Sequence, residues 1–162
     1  TGIDVQVGTL SKAFGAEGGY IAASREICDY LRNTSRPFIF STAISAVTGA
    51  AALAALRLLK ADPEKYLGRL CENTAYMRNL LTETGVDIAA GDTPIIPVVV
   101  GDEKEAIATA EACRKEGILL SAIRPPSVPV GTSRIRLTVT AMHTKEEMKK
   151  AAAILIRHWR SK

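Results

Sequence analysis

GTLSKAFGAEGG, residues 8–19, sets one lysine, Lys12, among glycines and a threonine, with Leu10 and the pair Ala13-Phe14 close by. Before it, Ile3-Asp4-Val5-Gln6-Val7 alternates apolar and polar residues, the period of a half-buried strand. After it, Tyr20-Ile21-Ala22-Ala23 reads as a second short strand. A lysine at such a strand-to-loop junction, flanked by glycines, lies where backbone can approach a bound group closely. Partial burial there disfavours the ammonium form and lowers the pKa, which is what a Schiff-base lysine requires. Thr9 offers a hydroxyl and a backbone donor for a phosphate. The stretch is not a Walker loop, since no glycine directly precedes the lysine and neither serine nor threonine follows it. A solvated lysine in a flexible glycine loop accounts for the same residues, so the stretch alone leaves both readings open.

Outward from this loop, residues 25–33 fit a short helix with Ser24 as N-cap, and Pro37-Phe38-Ile39-Phe40 an extended segment leading into Ser41 and Thr42. Two hydroxyls ahead of a helix make either an anion site at its N-terminus or a plain cap. Residues 45–60 form an alanine-rich helix with little polar surface, expected to pack on several sides. Asp62-Pro63 opens another helix, with Asp as cap and Pro in the first turn. Its stripe is Leu67, Leu70, Thr74, Met77 and Leu81, and it stops at Thr84-Gly85. That helix marks a division of the chain into residues 1–62 and 63–162.

From Thr93 the pattern is strand, helix, strand, strand, helix. Residues 95–100 are an apolar strand whose Pro97 marks an edge or a beginning. Residues 103–116 are a helix with Ala106, Ile107, Ala110 and Cys113 inward, stopped by Gly117. Residues 118–123 and 134–140 read as strands around an ordered turn. Thr144-Lys145-Glu146-Glu147 is a capping box for a last helix with Met148, Ala152, Leu155 and Trp159 in one stripe. In Ser133-Arg134-Ile135-Arg136-Leu137-Thr138 the period of two puts Arg134 and Arg136 on one face. They serve either as solvated edge charges or as a bidentate fork for a carboxylate.

The composition, 47% apolar and 23% charged over 162 residues, is that of a globular chain long enough for one domain and part of another. A formal charge of +4 with scattered basic residues fits mild attraction for anionic substrates and disfavours nucleic acid. Cys28, Cys71 and Cys113 lie far apart on predicted helices, as free buried thiols do, and their odd number fits a reducing, cytoplasmic setting. The most apolar run, residues 46–59, is too short and too alanine-rich to span a membrane. His143 is expected to order a corner and His158 to face solvent. With no ligand spacing between them, no metal is expected.

Taken together and in order, GTLSKAFGAEGGY (8–20), RPFIFST (36–42) and IRPPSVPVGTSRIRLTVTAMHT (123–144) resemble the α-oxoamine synthases, pyridoxal 5'-phosphate (PLP) enzymes of fold type I. The resemblance runs over nearly the whole chain. It implies an α/β, aspartate aminotransferase-like fold, with the end of the large PLP-binding domain over 1–62 and a small C-terminal α/β domain over 63–162. It makes Lys12 the catalytic lysine that holds PLP, and puts Thr9 on the cofactor phosphate. Ser41 and Thr42 would reach the phosphate of the neighbouring subunit in a homodimer. Ser127 stands where the family has a substrate-contacting threonine, Arg136 would take the substrate carboxylate, and Arg134 would support the structure.

The double proline and the GTSRIRLTVTA wording imply the member reaction that condenses L-alanine with a pimeloyl thioester, on CoA or a carrier protein, in biotin biosynthesis. A glycine C-acetyltransferase is the alternative within the family, and a non-catalytic binding or structural domain the alternative outside it. The family pattern also has an upstream half with the Asp facing the pyridine nitrogen, the His stacked on the ring and a glycine-rich part of the site. These are not in this chain, so the resemblance implies a fragment that is inactive alone.

Overall fold

A computed structural model describes residues 2–159 as an α/β chain. It forms two compact units, Thr1–Pro63 and Glu64–Lys162.

In the first unit, β1 (Val5–Thr9) and β2 (Gly19–Ala23) form an antiparallel pair running from Val5↔Ala23 to Thr9↔Gly19. The first strand therefore starts later than the alternation at Ile3 predicts and runs into the glycine motif, so that Thr9 ends it. Helix α1 (Arg25–Thr34) is capped as expected, the Ser24 hydroxyl accepting from the Ile27 N–H. The segment predicted to be extended is instead a four-residue helix, α2 (Arg36–Ile39). Proline fixes φ at a value that suits a first helical turn as well as an extended chain. Here the Ser35 and Arg36 carbonyls accept from Ile39 and Phe40 and decide for the helix.

Helix α3 (Ala46–Ala61) is capped by Ser45, whose hydroxyl accepts from the Thr48 N–H at 3.1 Å. Ser41 and Thr42 thus stand upstream of the cap in non-helical chain, and neither of them caps α3. Nor is α3 packed on several sides: none of its residues is buried, and Leu58 is 59% exposed. Among residues 2–63 no side chain is buried at all, so this unit has no core of its own.

In the second unit a π-helical turn (Glu64–Gly68) leads into α4 (Arg69–Glu83). Asp62 ends α3, its N–H bonded to the Leu58 carbonyl, and so it caps the preceding helix at its C-terminal end as well as standing before the next. The wide turn accounts for the exposed member of the predicted stripe. Thr74, Met77 and Leu81 are buried and Leu70 is half-buried, whereas Leu67, set on the π turn, rotates off the 3.6-residue register and is exposed. Asn73 takes the place beside them, donating to the carbonyls of Thr140 and His143. Gly85, at φ +75°, ends the helix after Thr84.

The rest of this unit is β3 (Ile95–Gly101), α5 (Glu103–Lys115), β4 (Ser121–Ile123), β5 (Ser133–Thr138) and α6 (Lys145–Trp159). The sheet is antiparallel in the order β3-β5-β4. β3 lies at one side, as its proline requires. On its outer side Ala89 donates to the Pro97 carbonyl and Val99 donates to Asp87, so the missing N–H of Pro97 costs no ladder bond to β5. The strand expected over 118–123 is shorter. The Ile118 N–H bonds back to the Cys113 carbonyl and closes the helix, and pairing with β5 starts only at Ser121↔Arg136.

Ile96, Val98, Ile135 and Leu137 line the inner sheet face against Met77 and Leu81 of α4, Ala106 and Cys113 of α5, and Met148, Ala152 and Leu155 of α6. The capping box forms in full: the Thr144 N–H donates to Glu147 Oε2 at 2.8 Å, and the Glu147 N–H to Thr144 Oγ1 at 3.2 Å. Trp159 Nε1–H donates to the Val99 carbonyl at 3.0 Å. His143 orders its corner through Nδ1, which accepts from the Thr140 N–H.

His158 is not solvent-facing as expected. It is bonded to Glu116 at 2.6 Å beside Arg157, which donates to the same carboxylate at 2.9 Å. Of the cysteines only Cys113 is buried; Cys28 is half-buried and Cys71 exposed, because the α4 stripe turns Cys71 outward. No helix among the described residues is long and apolar enough to cross a membrane.

Candidate functional site

The candidate residues fall on both units: Lys12, Thr9, Ser41 and Thr42 on the first, Ser127 and Arg136 on the second. The loop between β1 and β2 is closed on itself by Leu10 N–H to Gly18 O at 2.9 Å, Ala16 N–H to Leu10 O at 2.9 Å and Gly15 N–H to Lys12 O at 3.1 Å. Lys12 sits in its middle, held by the backbone. The ammonium itself has neither hydrogen-bond nor ion-pair partner among the described residues and is exposed, so the partial burial expected of it is not supplied by residues 2–159.

Thr9 Oγ1 shares a 2.8 Å hydrogen bond with Ser11 Oγ, accepts from the Ser11 N–H at 3.2 Å and donates to the Gly18 carbonyl at 3.4 Å. The last of these is long, and releasing it frees the proton for another acceptor. Ser11, which sequence reasoning passed over, thus belongs to the same hydroxyl pair.

Two glycines of the motif are needed for close approach. A Cβ on Gly19 would lie 2.9 Å from the Gly8 carbonyl oxygen, and one on Gly8 would overlap the Tyr20 ring. Ile44 reaches the far end of the loop, where a Cβ on Gly18 would lie 3.2 Å from its Cγ2. The chain just after Thr42 therefore packs against the lysine loop, although neither Ser41 nor Thr42 bonds to it; both are exposed and without side-chain partners. An apolar groove of the same unit, lined by Val7, Tyr20, Leu31, Pro37 and Phe38, contains none of the four.

On the second unit, β5 presents Arg134, Arg136 and Thr138 on the face turned away from the helices. The two arginines are not equivalent. Arg134 is tied back by Nε–H to the Thr132 carbonyl at 3.0 Å and Nη2–H to Thr132 Oγ1 at 3.1 Å. Arg136 is exposed, with no partner among the described residues. Its guanidinium keeps both N–H edges for a carboxylate. Ser127 lies in the turn before β5, its N–H bonded to the Arg124 carbonyl and its hydroxyl exposed. Arg124 in turn meets Glu103 at the start of α5 at 3.1 Å.

The carboxylates whose pKa is displaced lie elsewhere and have structural reasons. Hydrogen bonding from His158 holds Glu116 below the usual range, and the backbone N–H groups of helix starts do the same for Glu26, Asp102 and Glu147. Among the described residues no cluster of His, Cys, Asp and Glu has the makings of a metal site. What the chain offers is an amine with neighbouring hydroxyls in one place and a free guanidinium fork in another.

The family model for aminotransferase class I and II matches residues 1–155. The 8-amino-7-oxononanoate synthase of Symbiobacterium thermophilum is 44% identical over 151 residues, 93% of this chain and 38% of that protein. The 8-amino-7-oxononanoate synthase 1 of Bacillus subtilis is 40% identical over 153 residues, 94% of this chain and 39% of that protein. A solved structure described as SPT with PLP internal aldimine superposes with a TM-score of 0.91 at 27% identity, over 98% of this chain and 40% of that one. The crystal structure of 8-amino-7-oxononanoate synthase from Francisella tularensis does so at 0.83 and 23% identity, over 94% and 44%, and shows the likeness of fold. The α/β, fold-type I expectation holds, and so does the resemblance that the three motifs carry. The chain spans well under half the length of each of these proteins.

Proposed function

The chain belongs to the aminotransferase class I and II family, and from that premise we propose that it is part of a PLP-dependent 8-amino-7-oxononanoate synthase. That enzyme would condense L-alanine with a pimeloyl thioester, carried on CoA or a carrier protein, with loss of carbon dioxide. The observation that carries the reading is the Lys12 loop: a backbone-fixed lysine whose amine is uncommitted, next to the Thr9–Ser11 hydroxyl pair. An aldehyde-bearing phosphate ester fits this donor set, since the amine meets the carbonyl and the hydroxyls donate to phosphate oxygens.

PLP, when bound, supplies the electron sink for the pair left at the amino acid's α-carbon. The chain's own residues do the rest. Lys12 Nζ would hold the cofactor and would be the base that takes the proton from the amino acid's α-carbon. Thr9 donates to the phosphate. Ser41 and Thr42, whose side chains have no partner among the described residues, serve the phosphate of a second subunit, so the working unit is a homodimer, and its setting in this reading is the cytoplasm. Arg136 orients the amino acid through its carboxylate, and Ser127 is a further substrate contact.

Residues 1–62 are the end of the large cofactor domain in this reading and 63–162 the small domain. The first unit's lack of buried side chains is what an end piece needs if the remainder of the large domain covers it. The test is borohydride reduction of the full-length protein after incubation with PLP, followed by peptide mapping. Label fixed at Lys12 is expected, and Lys12→Ala should keep PLP noncovalently while losing the label and nearly all turnover. Label elsewhere, or normal turnover in that variant, refutes the reading.

A further inference from the structure

Arg136 is not alone on its face of the sheet. In the antiparallel register its direct partner on β4 is Ser121, and on the opposite side its partner on β3 is Pro97. Direct partners in an antiparallel pair project to the same face with their Cβ atoms about 5 Å apart. Ser121 is exposed, as Arg136 is, while its neighbour Ala122 turns in against the core. The guanidinium stem therefore runs between a hydroxyl and a proline ring, one flank able to donate a hydrogen bond and the other unable. The next pair along, Ile123↔Arg134, has no such hydroxyl, and its arginine is already engaged with Thr132.

We propose that Ser121 is a second ligand of the amino-acid carboxylate, a binding residue that works with Arg136. This rests on the reading of Arg136 given above. A carboxylate held edge-on by the guanidinium fork uses one lone pair on each oxygen, leaving the others to be filled. The Ser121 hydroxyl donates to the oxygen on the β4 side. Pro97 offers nothing to the other, so the added hydrogen bond falls on one side of the fork only. Both groups sit on backbone fixed by the sheet, β5 being bonded on both sides, which is what keeps a two-point contact in place.

The experiment titrates the full-length holoenzyme with L-alanine and, separately, with ethylamine, the same amine without the carboxylate, and reads Kd from the visible absorbance. Ser121→Ala should weaken L-alanine roughly tenfold, as expected for one hydrogen bond to a charged group, and leave ethylamine and PLP affinity unchanged. Ser121→Thr, which keeps the hydroxyl, should restore L-alanine binding. A purely structural role would move both ligands together and overturn the proposal. So would an unchanged L-alanine Kd in Ser121→Ala: if Arg136→Leu still weakens L-alanine, only the Ser121 assignment falls; if neither variant does, the carboxylate site itself falls with it.

Discussion

Replacing Arg136 and Arg134 separately by leucine should produce opposite phenotypes, although the two residues are chemically identical and share one strand face. Arg134 makes two hydrogen bonds to Thr132, at 3.0 and 3.1 Å. Each contributes a net of about 1 kcal/mol, so Arg134→Leu should cost roughly 1–2 kcal/mol and lower the melting temperature by several degrees. Arg136 has no partner to lose, and Arg136→Leu should stay within about 0.5 kcal/mol of the parent. Ligand binding reverses the order. Losing the charge-assisted contact to the substrate carboxylate should cost about 2–4 kcal/mol, a loss of roughly 30- to 1,000-fold in L-alanine affinity. Arg134→Leu should leave that affinity nearly intact. The assay is calorimetric unfolding of the full-length holoenzyme, paired with amino-acid titration followed in the visible spectrum. Equal losses of stability and of alanine affinity in both variants would refute the division of labour, and a fall in PLP affinity alone for Arg136→Leu would refute its carboxylate role.

Gly19→Ala should disturb the lysine loop more than Gly8→Ala, because the new Cβ meets a fixed carbonyl at 2.9 Å in one case and a rotatable Tyr20 ring in the other. Overpacking of this kind costs about 1–3 kcal/mol; unfolding of the two variants checks it, and Tyr20→Ala should rescue Gly8→Ala only. Glu116 is held below its ordinary pKa of 4.5 chiefly by the hydrogen bond from His158. Its contribution is therefore complete above that value and lost as pH falls through the lower folded value. Glu116→Gln should flatten this part of the stability–pH curve, which acid titration followed by circular dichroism would reveal. Residues 1–162 prepared alone should self-associate and be cut first within 2–63, the stretch without buried side chains; light scattering and limited proteolysis decide, and a monomer protected throughout would contradict it.

The elements with a local signal were legible in the sequence: the Ser24 cap, the Gly85 stop and the reciprocal Thr144–Glu147 pair all declare themselves within a few residues. The misread segments are those where one local signal serves two conformations. Proline at residue 37 suits an extended chain and a helix start alike, and only the carbonyls of Ser35 and Arg36 settle which forms. A π turn leaves no mark on a stripe read at 3.6 residues, so the stripe places Leu67 inward where the fold exposes it. The site shows the same limit. Alternation puts both arginines on one face, but the tether of Arg134 to Thr132 and the placement of Ser121 beside Arg136 arise from folding and from strand register.

The order of the sheet also bears on how the second unit is made. β5 is the last of its strands to leave the ribosome, yet it holds the middle place, and β3 and β4 do not touch as neighbours. While the chain is being synthesised, both earlier strands wait with one side open, and no partial sheet can be assembled from them. Once residues 133–138 emerge, β4 and β5 can close first across the short turn between them. β3 must then be recruited across about thirty residues, at a loop-closure cost that grows only with the logarithm of that length. The nascent unit is thus an all-or-nothing assembly whose vulnerable interval ends with its central strand. Substitutions that slow the β4–β5 closure should show first as poor yield of soluble protein and only afterwards as altered binding.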